Sequence, residues 1–185
     1  MKKMKNYFYV VLLVVSSYLF IGCSSLSVNV DYDPEYKFLQ QKSFAIVHKE
    51  KKGENTLFND RLIQALKADL IAKGYVNAQE KEADLIFVFH TNVESKTDID
   101  TDYRTVGYGG YGYGGMVVSQ TRTYHYTKGT LIIDALAPAN KKVVWRGVTT
   151  DTLKSYDTPQ ERTVYINGVV QETMQKFPSK KVPVK

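Results

Sequence analysis

Residues 84–91 read Asp84-Leu85-Ile86-Phe87-Val88-Phe89-His90-Thr91. Five consecutive apolar side chains stand between polar flanks, and the run is too short for an ordinary helix. Its aromatic and β-branched content fits a strand. Its continuity predicts a central strand buried on both faces.

Working outward, the neighbouring segments supply the rest of a sheet. Ser27 to Tyr32 alternates Val28, Val30 and Tyr32 with Asn29 and Asp31, a strand signal, and Pro34 cannot extend its ladder. Ser43 to Val47 reads as a second short strand, followed by a polar loop around Gly53. Asn92 to Tyr103 is polar and Asp-rich and reads as a solvated loop. Gly107 to Gly115 is a low-complexity Gly/Tyr stretch, a flexible loop between two strands. Gln120 to Ala135 reads as a long strand with a bend or bulge at Gly129. After a turn at Pro138 to Lys141, Lys142 to Thr149 returns as its hairpin partner. There Val143 and Trp145 alternate toward the core and Arg146 faces away.

Two helices complete the pattern. Thr56 to Lys73 repeats Phe58, Leu62, Leu66 and Leu70, with Ile63 widening the stripe. Asn55 or Thr56 can cap its start, Asp69 and Lys73 make an i, i+4 pair, and Gly74 occupies the position past the end that favours glycine. Thr158-Pro159-Gln160-Glu161 is a capping box with proline at the first helical position. Ile166, Val170, Met174 and Phe177 carry the second stripe up to Pro178, and Gly168 weakens it by up to about 1 kcal/mol. The order predicts an α+β fold: a two-layer sandwich, its sheet mixed and mostly antiparallel, with two amphipathic helices on one face.

The chain has 185 residues, 43% of them hydrophobic and 24% charged. That supports one packed domain and excludes wholesale disorder. The net charge is +6, from 25 basic and 19 acidic residues. Lys2, Lys3 and Lys5 account for half of it, and the remainder is no nucleic-acid footprint.

Those lysines precede an apolar run from Tyr7 to Ile21 of about 15 residues, the length of a signal-peptide core and short of the roughly 20 that a spanning helix needs. Phe20-Ile21-Gly22-Cys23 resembles the bacterial lipobox. The resemblance implies cleavage before Cys23 and diacylglycerol on its sulfur, which consumes the one cysteine of the chain. Each buried methylene contributes about 0.8 kcal/mol, so two or three acyl chains anchor permanently. Ser24 and Ser25 carry neither an inner-membrane retention Asp nor an acidic export run, which by analogy favours the periplasmic face of the outer membrane. The expected organisation is a signal peptide over 1–22, a lipid-anchored tether over 23–27, one α+β domain over 28–178 and a basic tail over 179–185.

Several blocks occur together: Asp31-Tyr32-Asp33-Pro34, Ala72-Lys73-Gly74-Tyr75, Ala83-Asp84-Leu85-Ile86, Gly129-Thr130-Leu131-Ile132-Ile133-Asp134, Val143-Val144-Trp145-Arg146-Gly147 and Phe177-Pro178. In this order and spacing they resemble the domain of unknown function 4136 family, a set of bacterial lipoproteins. The resemblance implies the lipoprotein address and supplies no active site.

No pattern in the sequence carries catalysis, a metal or a cofactor. Gly107, Gly109 and Gly112 satisfy G-x-G-x-x-G, but a strand-like segment follows where the dinucleotide motif needs a helix. Asp98, Asp100 and Asp102 are spaced like the first ligands of a calcium loop, yet Tyr103 replaces its glycine and Gly109 its final glutamate. His48, His90 and His125 lack zinc-ligand spacing. Tyr108, Tyr111 and Tyr113 are the candidate partner-binding loop, able to stack on sugars or grip a protein surface. The expected function is a non-catalytic envelope lipoprotein contacting membrane lipid and an envelope protein or glycan. The alternative is an envelope-polymer hydrolase or metal-dependent enzyme built on His90, His125 and the Asp98–Asp102 loop.

Overall fold

The computed structural model describes residues 26–50, 52–106 and 116–181. The leader, Cys23 and the 107–115 stretch with Tyr108, Tyr111 and Tyr113 lie outside the described residues. Six strands form one sheet: β1 (Ser27–Tyr32), β2 (Ser43–Ile46), β3 (Val76–Asn77), β4 (Leu85–Val106), β5 (Met116–Ala137) and β6 (Lys142–Thr152). Their spatial order is β1-β6-β5-β4-β2-β3. β1, β6, β5 and β4 pair antiparallel in succession, while β2 runs parallel to both β4 and β3. The helices are α1 (Thr56–Ala72) and α2 (Pro159–Met174). The α+β class and the mixed, mostly antiparallel sheet agree with the sequence.

Both helices begin where their caps predict. The Asn55 carboxamide oxygen accepts from the Phe58 amide at 3.1 Å. The Thr158 hydroxyl accepts from the Glu161 amide at 3.2 Å, and the Glu161 carboxylate accepts from the amide of Asp157, one residue before the cap. Gly74 takes φ +93° past α1, a conformation that costs glycine little. Lys73 and Asp69 pair at 3.0 Å.

The strand that decides the fold is central but not buried on both sides. Leu85, Phe87 and Phe89 are buried, whereas Ile86 and Val88 are half-buried and His90 is exposed. The same alternation runs through β5, where Leu131, Ile133 and Ala135 are buried. Asp134, on the opposite pleat, is buried against Arg146 through paired hydrogen bonds of 2.6 and 2.7 Å.

Phe177 completes the core from outside any regular element. Its ring centroid lies 5.2 Å from Trp145, 5.3 Å from Phe87, 5.6 Å from Tyr75 and 5.7 Å from Phe38. The sequence placed Phe177 on a helical stripe, but α2 stops at Met174 and the chain turns inward. The following residues dock instead of trailing off. The Tyr75 hydroxyl, pushed up to about 12 by burial, donates to the Pro178 carbonyl. The Lys180 amide donates to the Lys73 carbonyl, and its ammonium sits 4.8 Å above the Tyr75 ring. Lys180 therefore packs against the end of α1 and the Tyr75 ring.

Two glycines mark close approach. A Cβ on Gly147 would lie 2.5 Å from Trp145 Cη2 and 2.8 Å from Thr173 Cγ2. A Cβ on Gly129 would meet Leu153 at 2.7 Å, so its role is proximity and not a bend. The irregularity falls instead between Ala135 and Leu136, opposite Val144. It buries Val144 beside Trp145 and turns Val143 outward, against the simple alternation expected of that strand.

Asp84 fastens β2. Its carboxylate accepts from the Lys42 amide at 2.7 Å and from the Ser43 amide and hydroxyl at 2.9 Å each. The Lys42 amide is the largest cause that holds its carboxyl below the usual value of 3.8, and the Ser43 donors add to it. A depressed folded pKa stabilises the fold above the unfolded value and loses that contribution as pH falls through the folded one. Urea midpoints measured from pH 6 to pH 3 should therefore fall less steeply in Asp84→Asn, which starts lower. Parallel curves for the two proteins would refute this assignment.

The largest departure from expectation is an arm. β4 does not fade into a loop at Asn92; it pairs with β5 from Ile86–Leu136 as far as Val106–Met116. β6 leaves β5 at Lys128, so the hairpin continues alone beyond that level. At about 3.3 Å per residue the free part spans roughly 40 Å.

Candidate functional site

At the base of the arm a cleft of about 370 Å³ opens between the first two turns of α1, the middle of α2 and the sheet. Phe58 and Leu62 of α1, Ile166 and Val169 of α2, and Leu131 and Leu153 form its apolar walls. The packing that builds the core therefore also shapes the cavity. Its volume falls at the small end of ordinary ligand pockets.

Several polar groups of the cleft are tied to protein partners. The Tyr165 hydroxyl donates to the Asp151 carboxylate at 3.0 Å. Burial first, and this carboxylate second, push the Tyr165 hydroxyl well above the ordinary tyrosine range. Thr149 and Thr173 share a buried hydrogen bond, and Thr173 also donates to the Val169 carbonyl at 2.6 Å. At the rim, Glu54 Oε2 lies 2.9 Å from His48 Nε2 and 3.1 Å from Asn59 Nδ2. The Asn59 carboxamide donates to that oxygen, and its Nδ2 also lies 3.0 Å from His48 Nε2. The His48 ring stacks on Phe89 at 4.4 Å and 5°. This trio ties the loop after β2 to the start of α1.

The sequence did not foresee the trio, although a signal existed. Asn59 stands at a buried position on the apolar face of α1, beside Leu62 and Leu66. A polar residue inside an apolar stripe requires a partner.

The other histidines and the aspartates do not converge. His90 pairs across from Ile132 in the body, whereas His125 pairs with Thr97 out on the arm, roughly 23 Å further along the strands. His125 Nδ1 is 3.0 Å from the Thr97 hydroxyl. Asp98, Asp100 and Asp102 are not a loop: they alternate along one face of β4, opposite Tyr124, Arg122 and Gln120. Strand geometry spaces them about 6.6 Å apart instead of wrapping them around an ion. Among the described residues no group of three metal-ligating side chains assembles.

Residues 28–179 match the family described as Domain of unknown function (DUF4136). The chain belongs to the DUF4136 family. Its family blocks now have physical roles. Asp84 fastens β2, Gly74 ends α1, Asp134 pairs with Arg146, and Tyr75, Trp145 and Phe177 meet in one aromatic cluster. These are scaffold roles.

No curated protein matches the sequence. Among solved structures, a PDZ domain protein from Parabacteroides distasonis superposes with a TM-score of 0.51 at 13% identity, over 84% of this chain and 37% of that one. The chain thus spans little more than a third of that relative, and the likeness is one of fold. A DUF4136 family protein from Bacteroides thetaiotaomicron gives 0.48 at 18% identity, over 85% and 99% of the two chains. The PelC dodecamer from Paraburkholderia phytofirmans gives 0.49 at 13% identity, over 80% and 95%.

Proposed function

We propose that this DUF4136 chain is a lipid-anchored envelope protein whose domain is a non-catalytic binding module, held by Cys23 at the periplasmic face of the outer membrane. The observation that carries the binding role is the apolar cleft at the arm base. Its Tyr165–Asp151 and Thr149–Thr173 pairs satisfy one another. Groups so committed shape a site and orient a guest; they are not poised to attack one. We read the body as two layers, with both helices over the face that carries Phe87, Ile133 and Gly147. The Thr149–Thr173 bond and the Phe87–Phe177 contact support this. The proposed occupant of the cleft is an apolar group of an envelope protein or glycan conjugate.

The anchor follows from the lipobox resemblance and the short tether: Ser24 to Ser27 extends at most about 15 Å. The wild-type protein should incorporate a labelled fatty acid and Cys23→Ser should not, with the domain still folded. Equal labelling of Cys23→Ser would sink the lipid assignment. A photoreactive amino acid in place of Asn92, at the cleft rim, should yield reproducible adducts in intact envelopes, lost when Ile166→Trp fills the cavity. An absence of adducts would count against the binding role.

The His48–Glu54 contact favours the second reading, a hydrolase, because a carboxylate can orient an imidazole. Incubation with purified envelope polymer should release no soluble fragments. Release that disappears in His48→Gln would establish that reading in place of the first.

A further inference from the structure

We infer that the β4–β5 arm joins copies of this chain to one another, the outer edge of β4 in one copy pairing with the outer edge of β5 in the next. This goes beyond the binding role and does not depend on the cleft. Among the described residues, β2 pairs with β4 only as far as Phe87, and the last contacts on the outer side of β5 are the Lys128–Thr152 pair and the Leu153 amide donating to the Thr127 carbonyl. Past those points both strands offer outer rows of backbone donors and acceptors. A lone two-stranded ribbon of this length is marginal in water, and open edges are templates for further strands. The arm also exposes large apolar side chains: Ile99 is 64% exposed, Tyr103 72% and Tyr124 50%.

Charge selects the occupant. One face of β4 carries Glu94, Lys96, Asp98, Asp100, Asp102 and Arg104, a net excess of two negative charges. The matching face along the free edge of β5 carries Gln120, Arg122, Tyr124 and Tyr126, one positive charge and no acid, while Lys128 at its inner end is still paired with Thr152 of β6. Within the hairpin these runs already pair without a like-charge clash, Glu94 across from Lys128 and Asp100 across from Arg122. A neighbouring copy presents the same two edges, so the register repeats between copies. Pairing β4 with β4 would instead lay the three aspartates on their own kind. Pairing β5 with β5 would leave Arg122 with no acid to meet it. Only the head-to-tail arrangement is complementary, and it uses both edges of every copy. Each arm adds two strands, about 10 Å of width. The bodies are six strands wide, so the joined arms must curve with the bodies outside.

The full-length protein in mild detergent should be oligomeric at 10 µM by native mass spectrometry. Ile99→Cys in one tagged population and Thr123→Cys in another should crosslink across tags under mild oxidation, since Ile99 and Thr123 are register partners. The combined exchange Glu94→Lys, Asp100→Arg, Arg122→Asp and Lys128→Glu keeps every pair within its own hairpin. That variant should assemble with itself, yet co-purify with tagged wild type at least tenfold less than wild type does. A monomeric wild type, self-crosslinking of Ile99→Cys as strong as the mixed crosslink, or undiminished mixing of the exchanged variant would each overturn the proposal. The wild-type mass and the cysteine crosslink decide it even if the exchanged chain fails to fold.

Discussion

Phe177→Ala should lower the unfolding free energy by about 4 kcal/mol, within the range for removing a buried phenylalanine. The residue is 2% exposed. Its ring touches aromatic partners from β4, β6, the segment after α1 and the turn at Phe38, so no single element can move in to fill the space. Edge-to-face contacts at these separations add to simple burial. Denaturant titration should show the loss with little change in slope, and Phe177→Leu should recover roughly half of it, since most of the volume returns. A loss below about 1 kcal/mol would mean that the site collapses freely and that the aromatic cluster does not depend on its hub.

Arg146→Ala should cost about 3 kcal/mol. Asp134 is 3% exposed and receives both of its short charge-assisted bonds from Arg146. Removing the guanidinium strands a buried carboxylate, a change worth about 3–5 kcal/mol in other buried pairs. The arginine side chain is 48% exposed, which places the expected cost at the lower end. Replacing the pair together, Asp134→Leu with Arg146→Met, should recover most of the stability, because matched apolar groups leave nothing unpaired. The prediction fails if the single variant matches wild type, or if the double variant is the less stable of the two.

What was legible in the sequence was local. The caps at Asn55 and Thr158, the glycine after α1 and the apolar run at Leu85 to Phe89 each report their own backbone. What escaped was decided by distant partners. The arm lacks apolar alternation over Lys96 to Asp102, so its strand character rests on pairing with Gln120 to Tyr126 and not on a buried face. Val143 points outward because Val144 bulges opposite Ala135, a register event that neither strand announces alone. The His48–Glu54–Asn59 trio needed the fold to bring a loop and a helix together, although Asn59 among leucines hinted at it. Phe177 was recognised as apolar, but the inward turn after Met174 that makes it the hub was not.

The first strand of the domain pairs with β6, Ser27 to Tyr32 against Trp145 to Thr150, and the core closes only when Phe177 arrives. During synthesis the ribosome must therefore release nearly the whole chain before the earliest strand finds its neighbour or the aromatic cluster gains its last member. Contacts this distant are slow to form. Until Phe177 has emerged, the aromatic core has no hub to close around.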